Sequence, residues 1–176
     1  MESVIEFLHQ NGKYKFALPI LLVGFGLQYV LISVYLPEFL SYSGGLKNPD
    51  QLFSYDLDYL SNLYETLGTK GQEFYKGMLY MDFGYTSISA FGYALLLAAL
   101  SKQRKWFILL PIGLALFDIS ENICQLILMN QWPTISQLTA AISSVFTSLK
   151  MVLSMASVPL ILFFIIRNLI SWIKTL

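Results

Sequence analysis

Four apolar runs govern what this chain can become. Residues 16–36, 78–100, 106–129 and 138–166 are each long and apolar enough to carry a helix across a hydrocarbon core, which takes about 20 residues for a thickness of about 30 Å. Lipid offers no partner to an exposed peptide group, so only helices or closed barrels cross it. The expected class is all-α: a four-helix transmembrane bundle in one membrane domain covering residues 1–176. Composition agrees, since 56% of the residues are hydrophobic and 12% are charged, against roughly 25% charged in soluble domains. Tyr, Trp and Phe gather near the run ends, where amphipathic rings sit at headgroup level.

Basic residues give the runs a direction. Lys13 and Lys15 precede the first, Lys102, Arg104 and Lys105 lie between the second and third, and Arg167 and Lys174 follow the fourth, which puts 7 of 11 basic residues on one side. The positive-inside tendency makes that side cytoplasmic. Both termini are then cytoplasmic in an integral multi-pass protein, with nothing to separate plasma membrane from endomembrane. The opposite side receives the uncharged segment 130–137 and the long segment 37–77, where 6 acids outnumber 3 lysines. Met1 to Gln10 lacks the basic-then-apolar pattern of a removable signal, so the first run is expected to stay as an anchor.

A structureless stretch as long as 37–77 would be unusual. Asn48 and Pro49 have the form of a helix start, and Leu52, Tyr55, Tyr59, Leu60, Leu63 and Leu67 recur at helical spacing with Asp56, Asp58 and Glu65 between them. An amphipathic interfacial helix over 49–67 is expected, stopped at Gly68. Thr69 and Gln72 have capping-box spacing, so the second run should begin early, near Lys70. Shorter interfacial helices are expected over 2–9 and 168–176.

Four ionisable residues remain inside the runs: Asp82, Asp118, Glu121 and Lys150. Each costs about 2.5–3.5 kcal/mol near a helix centre, on the order of 10 kcal/mol for the set before pairing. Helical spacing shows how that cost is offset. Asp82, Thr86, Ala90, Ala94 and Ala98 form a small-residue stripe that faces protein. Asp118, Glu121, Asn122 and Gln125 share one face of the third run, and Ala140, Ser143, Ser144, Thr147, Lys150 and Ser154 one face of the fourth. Counted from the outer ends at about 1.5 Å per residue, Asp118 and Lys150 both lie roughly 16–18 Å deep, which makes them the expected pair. Gln28, with Gly24 on its stripe, supplies a further wall. The candidate ligand-binding or buried polar cluster is Gln28, Asp82, Asp118, Glu121, Asn122, Gln125, Thr147 and Lys150. Three acids face one base.

Chemistry beyond this is sparse. One cysteine, Cys124, and one histidine, His9, build no disulfide framework, zinc cluster or paired-histidine haem site within the chain. Phosphate-loop, metalloprotease and serine-elbow motifs are absent, so no cofactor, metal or catalytic residue is expected. A formal net charge of 0 gives no reason to expect nucleic acid. Thr147 beside Lys150 has the residue types of a nucleophile and base, but serine and threonine commonly serve helix packing in membranes.

Leu67-Gly68 with Tyr75 ahead of Asp82, then Pro111 with Asp118, Glu121 and Asn122, then Thr147 with Lys150, resembles a pattern of functionally uncharacterised four-span membrane proteins. That resemblance covers the last three runs and implies no activity. In topology alone the chain is similar to the emopamil-binding and sigma-2-receptor-like family, which implies binding of sterols or amphiphilic amines; none of that family's ligand-binding residues carries over. The expected role is a non-enzymatic accessory or structural subunit of a membrane complex. Its expected partners are membrane lipids and another membrane protein or a second copy of the chain. A bundle binding a lipid, sterol or small amphiphile is the alternative, and an intramembrane lipid-modifying enzyme the second.

Overall fold

A computed structural model describes residues 2–102 and 105–174, which are predominantly helical with no strand among them. Arg104, counted above among the basic residues, lies outside the described residues, as do Met1, Thr175 and Leu176 at the ends of the expected terminal helices. In chain order the helices are α1 (Glu2–Asn11), α2 (Tyr14–Val30), α3 (Leu36–Tyr42), α4 (Leu57–Ser101), α5 (Leu110–Gln131) and α6 (Gln137–Ile173). Four helical stretches are long and apolar enough to cross a membrane: Tyr14–Tyr42, Leu57–Ser101, Trp106–Gln131 and Gln137–Ile173.

Each departure from straight helix has a local cause. A π turn, Leu31–Tyr35, joins α2 to α3 immediately before Pro37. Proline lacks an N–H and its ring crowds the carbonyl four residues back, and the widened turn relieves both. Gly68, at φ 58°, breaks α4 into 57–67 and 69–101, a left-handed conformation that favours glycine. The expected stop is therefore there. Gln72, however, donates to the Tyr64 carbonyl at 2.8 Å and bridges the break, where a capping box with Thr69 was expected.

The segment before α4 differs more. A helix continuous from residue 49 is not formed: Asn48 caps only a short 3₁₀ turn, Pro49–Gln51, and the chain then runs extended to Asp56, whose carboxylate caps α4 by accepting from the Tyr59 N–H at 2.8 Å. Competition from tertiary partners explains the break. Tyr55 N–H donates to Ser144 Oγ at 2.9 Å and the Phe53 carbonyl accepts from Ser148 Oγ at 2.9 Å, so α6 takes the backbone groups that a helix would have used internally.

Helix contacts follow the small-residue stripes. A Cβ added to Gly24 would lie 2.6 Å from Ser89 Oγ, and one added to Gly92 2.9 Å from Leu21 Cδ2, so α2 lies directly on α4. Ala90, Ala94 and Ala98 of α4 are buried. The apolar core falls into two halves. Toward the Trp132 end Phe39, Leu60, Leu63, Tyr64, Tyr75 and Leu128 pack together; toward the Lys102 end Leu8, Ala17, Leu95, Leu97, Ile108 and Phe164 do so. At the latter end Arg167 Nη2 and Asn168 Nδ2 both donate to the Leu100 carbonyl, at 2.9 and 3.0 Å, closing the C-terminus of α4. Between these halves lies the charge.

Candidate functional site

Lys150 is buried, with its side chain 8% exposed, and its ammonium is the hub of the site. It lies 2.8 Å from Asp118 Oδ1 and 2.6 Å from Glu121 Oε2, both contributed by α5. The pairing with Asp118 is thus present, but it is one of three, because Asp50 also reaches Lys150. The Glu121 contact is an ion pair without hydrogen-bond alignment, which leaves Oε2 with charge compensation but no donor.

Asp50 is the acid that helical periodicity missed. It sits on the 3₁₀ turn, held from behind by Asn48, whose Oδ1 accepts from the Tyr75 hydroxyl at 2.8 Å and from the Asp50 N–H at 3.4 Å. The Tyr59 hydroxyl fixes the Lys47 carbonyl at 2.6 Å. The only clue in the sequence is the cap-like Asn48-Pro49-Asp50, which sets a turn but not the direction of the acid.

The remaining predicted residues divide into a network and a cavity wall. In the network the Tyr55 hydroxyl meets Glu121 Oε1 at 3.3 Å, Ser143 Oγ at 2.8 Å, Gln125 Nε2 at 2.9 Å and Thr147 Oγ1 at 3.1 Å. One assignment satisfies the donors: Tyr55 donates to the carboxylate, Gln125 and Ser143 donate to Tyr55, and Thr147 donates to the Ser143 carbonyl at 3.1 Å. Gln125 Oε1 accepts from the Tyr64 hydroxyl at 2.6 Å. Burial, with the Glu121 carboxylate second, holds the Tyr55 phenol well above the ordinary tyrosine range. Tyr55 is therefore a neutral donor throughout physiological pH.

Asp118 also accepts from Thr86 Oγ1. Asp82 accepts from Asn122 Nδ2 at 2.7 Å, and among the described residues no lysine or arginine forms an ion pair with it. Gln28 makes no hydrogen bond to the acids among the described residues; it lines the space beside them.

That space is a cavity of about 520 Å³ between α2, α4, α5 and α6. One end carries Asp50, Asp82, Asp118 and Lys150, and the other is walled by Pro111, Val158, Ile161 and Leu162. Tyr85 and Tyr93 stand on its α4 side, with Ser89 and Ser157 between the ends. A second cavity of about 260 Å³ shares Gln28, Asp50, Asp82 and Tyr85 and extends to Asn48 and Gln51 of the loop. Asp82 and Asp50 thus belong to both.

Carboxylate oxygens of Asp50, Asp118 and Glu121 lie within 4.8 Å of one another, a donor set of the kind that hard cations take. The Lys150 ammonium sits among them and supplies that positive charge from within the chain. Thr147 and Lys150 are not joined as nucleophile and base, since the Thr147 hydroxyl is directed to Tyr55 and the Ser143 carbonyl. The chain matches no protein-family model, no curated protein and no solved structure.

Proposed function

We propose that the chain is a multi-pass membrane protein, with both termini on the cytoplasmic side, whose cavity binds an amphiphile carrying an amine or quaternary-ammonium head and an apolar body. The observation that carries this reading is the cavity of about 520 Å³ with Asp82 at its charged end and, among the described residues, no lysine or arginine paired to it. Its volume is within the ordinary range for small-molecule sites, about 300–1,000 Å³.

Charge accounting favours a cation. With Asp50 included, four acids stand around one lysine. Lys150 is engaged by Asp50, Asp118 and Glu121, so a positive head beside Asp82 would meet the carboxylate of these four that has no cationic partner among the described residues. Tyr85, 3 residues along α4 from Asp82, lines the same wall. An anionic head would meet net negative charge.

An accessory-subunit role calls for an outer amphipathic helix able to dock a partner. The apolar face of 57–67, however, is turned inward, with Leu60, Leu63 and Tyr64 fully buried and Leu67 nearly so. The enzyme reading needs a nucleophile poised on a base, and Thr147 is engaged elsewhere.

The test is calorimetric titration of the protein in amphipol with dodecyltrimethylammonium below its micelle concentration. Saturable one-to-one binding is expected, weakened about ten-fold or more by Asp82→Asn, because a hydrogen bond or contact to a charged group contributes about 1.5–3 kcal/mol. Dodecanol should not compete. Equal affinity in wild type and Asp82→Asn would remove the reading.

A further inference from the structure

Below the charged end the cavity has a second polar level. Lys150 and Ser157 are separated by 7 residues on α6, and Asp82 and Ser89 by 7 on α4, so each serine lies roughly 10 Å along its helix from the charged residue above it. Both helices run in the same direction away from the 132–136 connection and the Gly68 break, and all four residues line the same cavity. The two serines thus face one space, one charged level removed from its acids.

Ser157 is the informative one. It is 4% exposed, lines the cavity, and its Oγ has no hydrogen-bond partner among the described residues. A buried hydroxyl without a partner is a standing cost to the fold, and native interiors satisfy nearly all such groups. Ser89 is equally enclosed, at 7% exposure, with Gly24 left bare of a Cβ where its hydroxyl sits. Beyond them Ile161 and Leu162 make the wall apolar again.

We propose that the ligand is recognised at two points: a cationic head at the Asp82 level, and a hydrogen-bond acceptor oxygen roughly 10 Å further along, taken by the Ser157 hydroxyl. This rests on the amine-amphiphile reading and narrows it. The ligand is then an amine-headed amphiphile with a carbonyl, ester, amide or ether oxygen within its chain, in place of a plain alkylamine. Hydroxyl donors suit a neutral acceptor, and the apolar wall past Ser157 suits the rest of the chain.

The experiment compares dodecyltrimethylammonium with an analogue of equal length bearing a ketone oxygen roughly 10 Å from the nitrogen. Each is titrated into wild type, Ser157→Ala and Asp82→Asn in amphipol. Wild type should prefer the ketone by roughly five-fold, the worth of one neutral hydrogen bond. Ser157→Ala should lose that preference, and Asp82→Asn should weaken both ligands and keep it. A preference that persists in Ser157→Ala, or none in wild type, overturns the two-point proposal and leaves the amine reading standing. Failure of wild type to bind either ligand, or indifference of both to Asp82→Asn, overturns the amine reading itself.

Discussion

Lys150→Met destabilises the bundle by about 3–5 kcal/mol, the cost of removing one partner from a buried ionic group. The measurement is denaturation in mixed micelles with increasing sodium dodecyl sulfate. The lysine compensates Asp50, Asp118 and Glu121 together, and its loss leaves Glu121, which is 1% exposed, with neither cation nor donor at Oε2. The pattern of rescue is more telling than the single value. If Asp118 were the sole partner, adding Asp118→Asn to Lys150→Met would recover most of the loss. Three partners predict that Asp118→Asn recovers part of it, and that Glu121→Gln must be added before stability approaches that of the wild type. Additive losses along that series would show that the groups do not form one ionic unit.

Tyr55→Phe should cost about 1–3 kcal/mol, out of proportion to the loss of one oxygen, because buried groups are left without partners. Glu121 Oε1 loses its donor and Ser143 an acceptor, while Gln125 Nε2 keeps only Ser143 Oγ at 3.1 Å. In the Glu121→Gln background the same change should cost less, since the phenol then no longer serves a charge. Equal costs in the two backgrounds would show that Tyr55 and Glu121 are not coupled.

These two expectations also mark where sequence and structure part. The long helices and their polar faces were legible because a helix fixes direction through its period. Asp118, Glu121, Asn122 and Gln125 point together on α5, and Ser143, Thr147 and Lys150 together on α6, because residues three and four apart share a face. The meeting of these faces followed from the cost of leaving charge in an apolar interior. Asp50 and Tyr55 were not legible. They lie where the chain leaves the helical period, in a 3₁₀ turn and an extended stretch held by side chains of Tyr75, Ser144 and Ser148 far away in sequence. Tyr55 has the spacing of a helix face with Leu52 and Tyr59, and nothing local says that α6 will capture its N–H. Gly68 was legible as a stop because its conformation is a property of glycine itself.

The two halves of the core give the site its character. A continuous apolar interior would have packed the four long helices without cost, yet the bundle interrupts it with a lysine, four acids and a cavity. The hub around Lys150 pairs one ammonium with three acids and stabilises the packing, with Asp50, Asp118 and Lys150 also lining the larger cavity. Asp82 is outside that hub, bound by an amide and exposed to both cavities. If the proposed function holds, substitutions should separate the two roles: Lys150 variants act on stability, Asp82 variants on binding.

The most direct test is native mass spectrometry of the protein extracted gently from the membranes of cells producing it, with wild type and Asp82→Asn compared at matched yield. A single retained adduct is expected on the wild type, an amphiphile with one basic nitrogen and an oxygen within its chain, and its loss from Asp82→Asn. Indistinguishable adducts on the two proteins, or only a heterogeneous lipid series on both, would contradict it.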